Sequence, residues 1–90
     1  MSLLKKIASA ALTTTAVTRN NYNRLIVNTT TLQEAETILG GRAHSANRRG
    51  FDNALVWNNH NDSSRMTLSI ELVFRGNVLI DKWICTRNNG

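Results

Sequence analysis

Met66, Leu68, Ile70, Leu72 and Phe74 alternate with Thr67, Ser69, Glu71 and Val73, the period-two signature of a strand with one face against a core. Such a strand cannot stand alone, because its apolar face has to be covered by a second layer. Gly76-Asn77 directly follows and fits a two-residue hairpin turn. That turn predicts a register with Phe74 opposite Leu79, Ile70 opposite Trp83 and Glu71 opposite Lys82. A three-residue loop would instead set Ile70 against Lys82 and lose the charge pair. The expected inward set is therefore Leu68, Ile70, Leu72, Phe74, Leu79 and Trp83. Val73, Ile80, Ile84, Ser69, Glu71 and Lys82 are expected on the other face.

The covering layer is written between Val17 and Gly41. Thr31 and Glu34 fit a capping box, in which each side chain accepts from the other's backbone N–H. Leu32, Ala35, Ile38 and Leu39 follow at helical spacing, and Gly40-Gly41 supplies the left-handed residue that stops a helix, giving an expected length of about three turns. Upstream, Thr18 caps a shorter helix with Tyr22, Leu25 and Ile26 on one side, and Asn28-Thr29-Thr30 connects the two. The order is helix, loop, helix, then strands.

That order, with Thr18, Tyr22, Leu25-Ile26, Thr31-x-x-Glu34-Ala35 and Ile38-Leu39-Gly40-Gly41, resembles the opening of the beta-lactamase-inhibitory-protein-like repeat. Val56-Trp57 stands where that family has a Trp in its second strand, and Phe74-Arg75-Gly76-Asn77 where it has a late hairpin. The resemblance runs from about Val17 to Ile84, and small outer-membrane assembly lipoproteins have a similar architecture. It implies an α+β fold, with a helix-loop-helix on one face of a four-stranded antiparallel sheet. It also implies a partner-binding surface on the sheet face turned away from the helices. No internal repeat is present, so the chain holds one copy of the unit.

Ninety residues bound a single domain, expected over residues 17–90, whose modest core leaves little room for a deep enclosed active site. Residues 1–16 have a basic start but an apolar run that is short for an export signal. Ser2 can cap an amphipathic helix lined by Leu3, Leu4, Ile7, Ala8, Ala11 and Leu12, and such a helix or arm is the preferred reading. A lone helix of this length is marginal in water, so it is expected to dock on its own domain, on a second copy or on a membrane surface. Relatives of the resembled family are often exported or lipid-anchored, but Cys85 lies near the wrong end to be a lipidated N-terminal cysteine. A cytoplasmic location is preferred, with export the alternative if residues 1–16 act as a signal. No stretch is long and apolar enough to span a bilayer.

The chemical stock is thin. His44 and His60 have no second ligand at zinc-site spacing, and Cys85 is read as a small core residue rather than half of a thiol dyad. The single cysteine excludes an intramolecular disulfide. Gly40-Gly41-Arg42 lacks the Gly-Lys-Ser/Thr of a phosphate loop and reads as a helix stop. No catalytic residue, cofactor or metal is expected.

Charge and pattern leave two readings. Eleven Lys and Arg against six Asp and Glu give a net charge of +5, spread along the chain except for Arg42 to Arg49. The first reading is a non-enzymatic protein-binding module, an inhibitor or assembly factor, docking through the outer sheet face and through the Arg42–Arg49 and Asn58–Ser64 loops. Its candidate contact residues are Arg42, Arg48, Arg49, Trp57, His60, Arg65, Val73, Ile80 and Lys82. The face of Trp57 stays open; exposed, it is the best hot-spot candidate. The second reading is a basic nucleic-acid-binding protein with Arg42, Arg48, Arg49, Arg65 and Arg75 on phosphates and Trp57 or Phe51 stacking on bases. The first is preferred, because no aromatic-basic groove motif is present.

Overall fold

The computed structural model describes residues 13–61 and 66–88, without the side chains of Thr13, Thr14, His60 and Asn61. The expectations for residues 1–12, Arg65 and the His60 side chain lie outside what it describes. The chain is α+β. A 3-10 turn at Thr13–Ala16 precedes α1 (Arg19–Asn23) and α2 (Leu32–Ile38), and four strands follow: β1 (Ser45–Arg49), β2 (Asp52–Asn61), β3 (Met66–Arg75) and β4 (Val78–Asn88). They form an antiparallel sheet in the order β1-β2-β3-β4.

Both helices start where their caps demand. Thr18 Oγ1 accepts from Asn21 N at 3.1 Å. The capping box of α2 closes in both directions, Glu34 N to Thr31 Oγ1 at 3.2 Å and Thr31 N to Glu34 Oε1 at 2.9 Å. At its other end Gly40 takes φ 83° and Gly41 N donates to Glu36 O at 2.8 Å, a Schellman-type closure. α2 is seven residues long, shorter than expected. Beyond α1, Leu25 is buried but Ile26 turns outward, contrary to the one-sided grouping with Tyr22.

Val17, Leu25, Ala35 and Leu39 pack with Trp57, Ile70, Leu72, Phe74 and Leu79 in one core, and Ile84 and Leu55 join its margin. These sheet residues share one face by register, so the helical layer lies on that face and, among the described residues, the other carries no helix. Trp57 is 1 % exposed, and its Nε1 donates to Gly41 O at 2.8 Å, tying the stop of α2 to the middle of β2. The open question of its face is closed: Trp57 is core and leaves the surface set.

The expected faces of four β4 side chains, Lys82, Trp83, Ile84 and Cys85, fail together from one cause. The hairpin begins as expected, Arg75 opposite Val78 and Phe74 opposite Leu79, around Gly76 at φ 63°. The register then shifts between Val73 and Phe74, so that Val73 faces Asp81 and Ile80 is the extra residue of a β-bulge. Every later side chain changes face. Ile70 meets Ile84 rather than Trp83, and Glu71 meets Trp83 rather than Lys82. Ile84 is thus on the core side and Trp83 and Cys85 are outside, the reverse of the expectation for all three. Lys82 points to the helices, where its Nζ donates to Tyr22 O at 3.1 Å and lies 4.3 Å from the ring centroid.

Replacing Ile70 by Ala should cost about 2–5 kcal/mol, since a fully buried aliphatic side chain leaves a cavity. Thr31→Ala should cost nearer 1 kcal/mol through the lost cap. Urea unfolding of the two variants beside the wild type measures both.

Candidate protein interface

The helix-free face is built row by row from the register. Across its middle run Ser45, Val56, Glu71 and Trp83; the next row holds Asn47, Ala54, Val73 and Asp81; Arg49, Asp52 and Arg75 close one end. Trp83 is 39 % exposed, a large apolar side chain that no helix among the described residues covers. Val73, expected outward, is on this face but only 7 % exposed among its neighbours. Ala54 is buried beside it and Val56 half-buried, so the centre is small, apolar and closely packed.

Charges of both signs flank that centre. Arg49 Nη2 reaches Glu71 Oε2 at 3.3 Å, and Arg75 grips Asp52 with two bonds, Nε to Oδ1 at 2.8 Å and Nη2 to Oδ2 at 3.1 Å. The hydrogen bond from Arg75, reinforced by its charge, holds the Asp52 carboxyl below the ordinary range against a smaller opposing effect of desolvation. Arg49 therefore takes the acidic partner that the sequence assigned to Lys82. On the far side, Ser69 Oγ donates to Asn58 Oδ1 at 2.7 Å.

The basic candidates separate in space. Arg48 and Arg49 are not in a loop but in β1, whose five residues are all exposed. Arg48 lies on the opposite face of that strand from Arg49, and neither Arg42 nor Arg48 has an ion-pair partner among the described residues. β1 and β2 join at Gly50-Phe51, with Gly50 at φ 66° and Phe51 91 % exposed at the turn. Ile80 is half-buried at the bulge rather than a plain outer-face residue. The expected Asn58–Ser64 loop is in part strand, since β2 runs to Asn61.

Other candidates have structural partners. His44 Nδ1 accepts from Asn58 N at 3.0 Å, extending the edge of the β1–β2 pair. Burial, and after it the charge of Asp81, pushes the Tyr22 hydroxyl above its ordinary value. An open cleft of about 460 Å³ between the α1–α2 loop and α2 is lined by Ile26, Ile38, Arg24 and Glu34, the last committed to the capping box. Among the described residues no three His, Cys, Asp or Glu side chains group as a metal site, and no helix is long and apolar enough to cross a membrane.

Comparison with known proteins returns no matching family model, no matching curated protein and no matching solved structure.

The outward face of Trp83 has a counterpart in the sequence. Val78-Leu79-Ile80 and Trp83-Ile84-Cys85 are consecutive apolar runs around Asp81-Lys82, so no single period of two fits this strand and its register cannot be carried unbroken from the turn. Gly50-Phe51, a glycine at the first position of a two-residue turn, equally announced the β1–β2 hairpin.

The two tryptophans should behave oppositely. Trp57→Ala should cost about 3–5 kcal/mol as a core truncation, and Trp83→Ala about 1 kcal/mol or less, the scale of cross-strand pairs; chemical denaturation distinguishes them. Asp52 contributes stability above the ordinary carboxylate range that is lost as pH falls through its lowered pKa. Thermal unfolding between about pH 6 and about pH 2 should therefore show a smaller acid-induced loss in Arg75→Gln than in the wild type.

Proposed function

We propose that this chain is a non-enzymatic protein-binding module, an inhibitor or assembly factor, that docks through the helix-free face of its sheet. The reading is of the kind implied by the resemblance to the beta-lactamase-inhibitory-protein-like repeat, and rests on one observation: Trp83 stands exposed on that face in the same row as Val56 and Glu71. An apolar centre carrying a Trp, with a charged and polar rim, has the composition of an interface core and its surround. The rim supports a protein rather than a polyanion, because Glu71, Asp52 and Asp81 share the face with Arg49 and Arg75. A phosphate backbone would meet repulsion at each carboxylate, whereas a protein surface of mixed sign can match the pattern. Trp83, Val56, Glu71 and Arg49 are the contact residues of this proposal. Val73 supports the centre from beneath the surface.

A second reading has its own observation. Phe51 projects from the β1–β2 turn close in sequence to Arg48 and Arg42, which lack ion-pair partners among the described residues, an arrangement able to stack on a base and neutralise phosphates. Its mark is affinity that falls steeply with salt.

Affinity capture from the source lysate, with and without nuclease, tests both. Under the first reading a discrete protein survives nuclease, is retained by an Arg48→Glu/Arg49→Glu variant at least in part, and binds Trp83→Ala at least about tenfold more weakly. Recovery of nucleic acid alone, lost on the double charge reversal and indifferent to Trp83→Ala, overturns it in favour of the second.

A further inference from the structure

Among the described residues, other backbone segments bond to the outer edge of β4 only at its start. Asn28 N donates to Leu79 O at 2.6 Å and Leu79 N to Thr30 O at 2.9 Å, so the α1–α2 connection occupies the edge at Leu79, and Thr31 bridges to Val78. From 80 to 88 the strand is the sheet's terminal member, with no strand beside it among the described residues. Three hydrogen bonds fix which backbone groups point outward. Leu79 spends both of its groups on the connection. Past the bulge, Lys82 N–H also faces outward, where it donates to the carboxylate of its neighbour Asp81 at 2.9 Å. The period of two then turns the N–H and C=O of Ile84 and Thr86 to the open edge.

This open edge is centred on Ile84, and its residues complement themselves when the strand is run against a copy. About a two-fold axis at Ile84, Asp81 faces the second copy's Arg87, Lys82 faces Thr86 and Trp83 faces Cys85. Asp81, Trp83, Cys85 and Arg87 all lie on the helix-free face by register, so each opposed pair meets on one side of the sheet. Arg87 has no ion-pair partner among the described residues of its own chain. Moving the axis by one residue in either direction separates Asp81 from Arg87, and centring it on Lys82 sets two ammonium groups opposite each other. The other sheet edge is unlike this: β1 is five residues long and ends in adjacent Arg48 and Arg49, a charged and short edge of the kind that resists pairing. On β4 the bulge sits at the covered start, and Lys82 is drawn inward to Tyr22.

We propose that β4 pairs antiparallel with β4 of a second copy of this chain about a two-fold axis at Ile84, joining two sheets into one. The partner is identified by backbone complementarity along the open edge and by the reciprocal Asp81–Arg87 pairs. The pairing is independent of the heterologous partner proposed above.

Sedimentation of the full chain over a concentration series tests it, with circular dichroism on every variant to verify folding. The wild type should pass from monomer to dimer as concentration rises. Thr86→Pro removes an outward N–H, which an isolated edge tolerates, and should weaken dimerisation at least about tenfold. Asp81→Arg and Arg87→Asp should each weaken it, and the Asp81→Arg/Arg87→Asp double variant should recover most of the loss. Independently of Thr86→Pro folding, oxidised Trp83→Cys should give cross-linked dimers through the second copy's Cys85, since directly opposed Cα atoms lie within disulfide reach; the same change in a Cys85→Ser background should not. A wild type that stays monomeric to about 1 mM, a dimer indifferent to Thr86→Pro, or a double charge variant no better than the single ones overturns the proposal.

Discussion

One extra residue in β4 decides what the molecule shows to its surroundings. Opposite Val73 the strand spends two positions, Ile80 and Asp81, where an unbroken ladder would spend one. Because side chains alternate, this single insertion moves Ile84 into the core and Trp83 out of it, and takes Lys82 to the helices and Cys85 to the open face. Without it, Trp83 would compete for the space beneath the helical layer, and the outer face would have an aliphatic centre without an aromatic anchor. The bulge also fixes the parity of the open edge, so interface and edge share one origin.

The core has a second organising contact in Trp57. Its ring fills the middle of the helix-side face while its N–H satisfies the carbonyl of Gly41, just past the stop of α2. A buried indole without that acceptor would leave a donor stranded in an apolar setting. The same bond holds the segment leading into β1, where His44 continues the ladder with two bonds, its backbone N donating to Val56 O at 2.7 Å and its ring Nδ1 accepting from Asn58 N. The start of the sheet is thereby attached to the end of the helical layer.

What could be read from the sequence was local. The caps at Thr18 and at Thr31 with Glu34, the glycine stop at Gly40-Gly41 and the turn at Gly76-Asn77 depend on residues a few positions apart, and each is in place. The Phe74–Leu79 pair followed from the turn alone. Beyond it, charge favours pairing Glu71 with Lys82, but the bulge turns Lys82 to the helix side and Glu71 pairs instead with Arg49, two strands away. That competitor was hidden: Ser45–Arg49 has no apolar alternation, since an exposed edge strand needs none. The face of Trp57 was undecidable for a similar reason, because parity relates residues within a strand but crosses a long connection only through contacts. Both gaps carry into the candidate site: Lys82 and Trp57, named there from the sequence, face the core, and Trp83, expected inward, is exposed.

The strands are joined only to their sequence neighbours, and two of the connections are two-residue turns beginning with glycine. Such hairpins close short loops, and zipping outward from Gly50 and Gly76 demands little chain entropy at each step. The helical layer is different. Asn59 reaches back 42 residues to the carbonyl of Val17, and Lys82 reaches back 60 to that of Tyr22. The longest loops in the fold are therefore closed when the helices settle on the sheet, and topology assigns the slower, more entropically demanding step to their docking rather than to strand pairing.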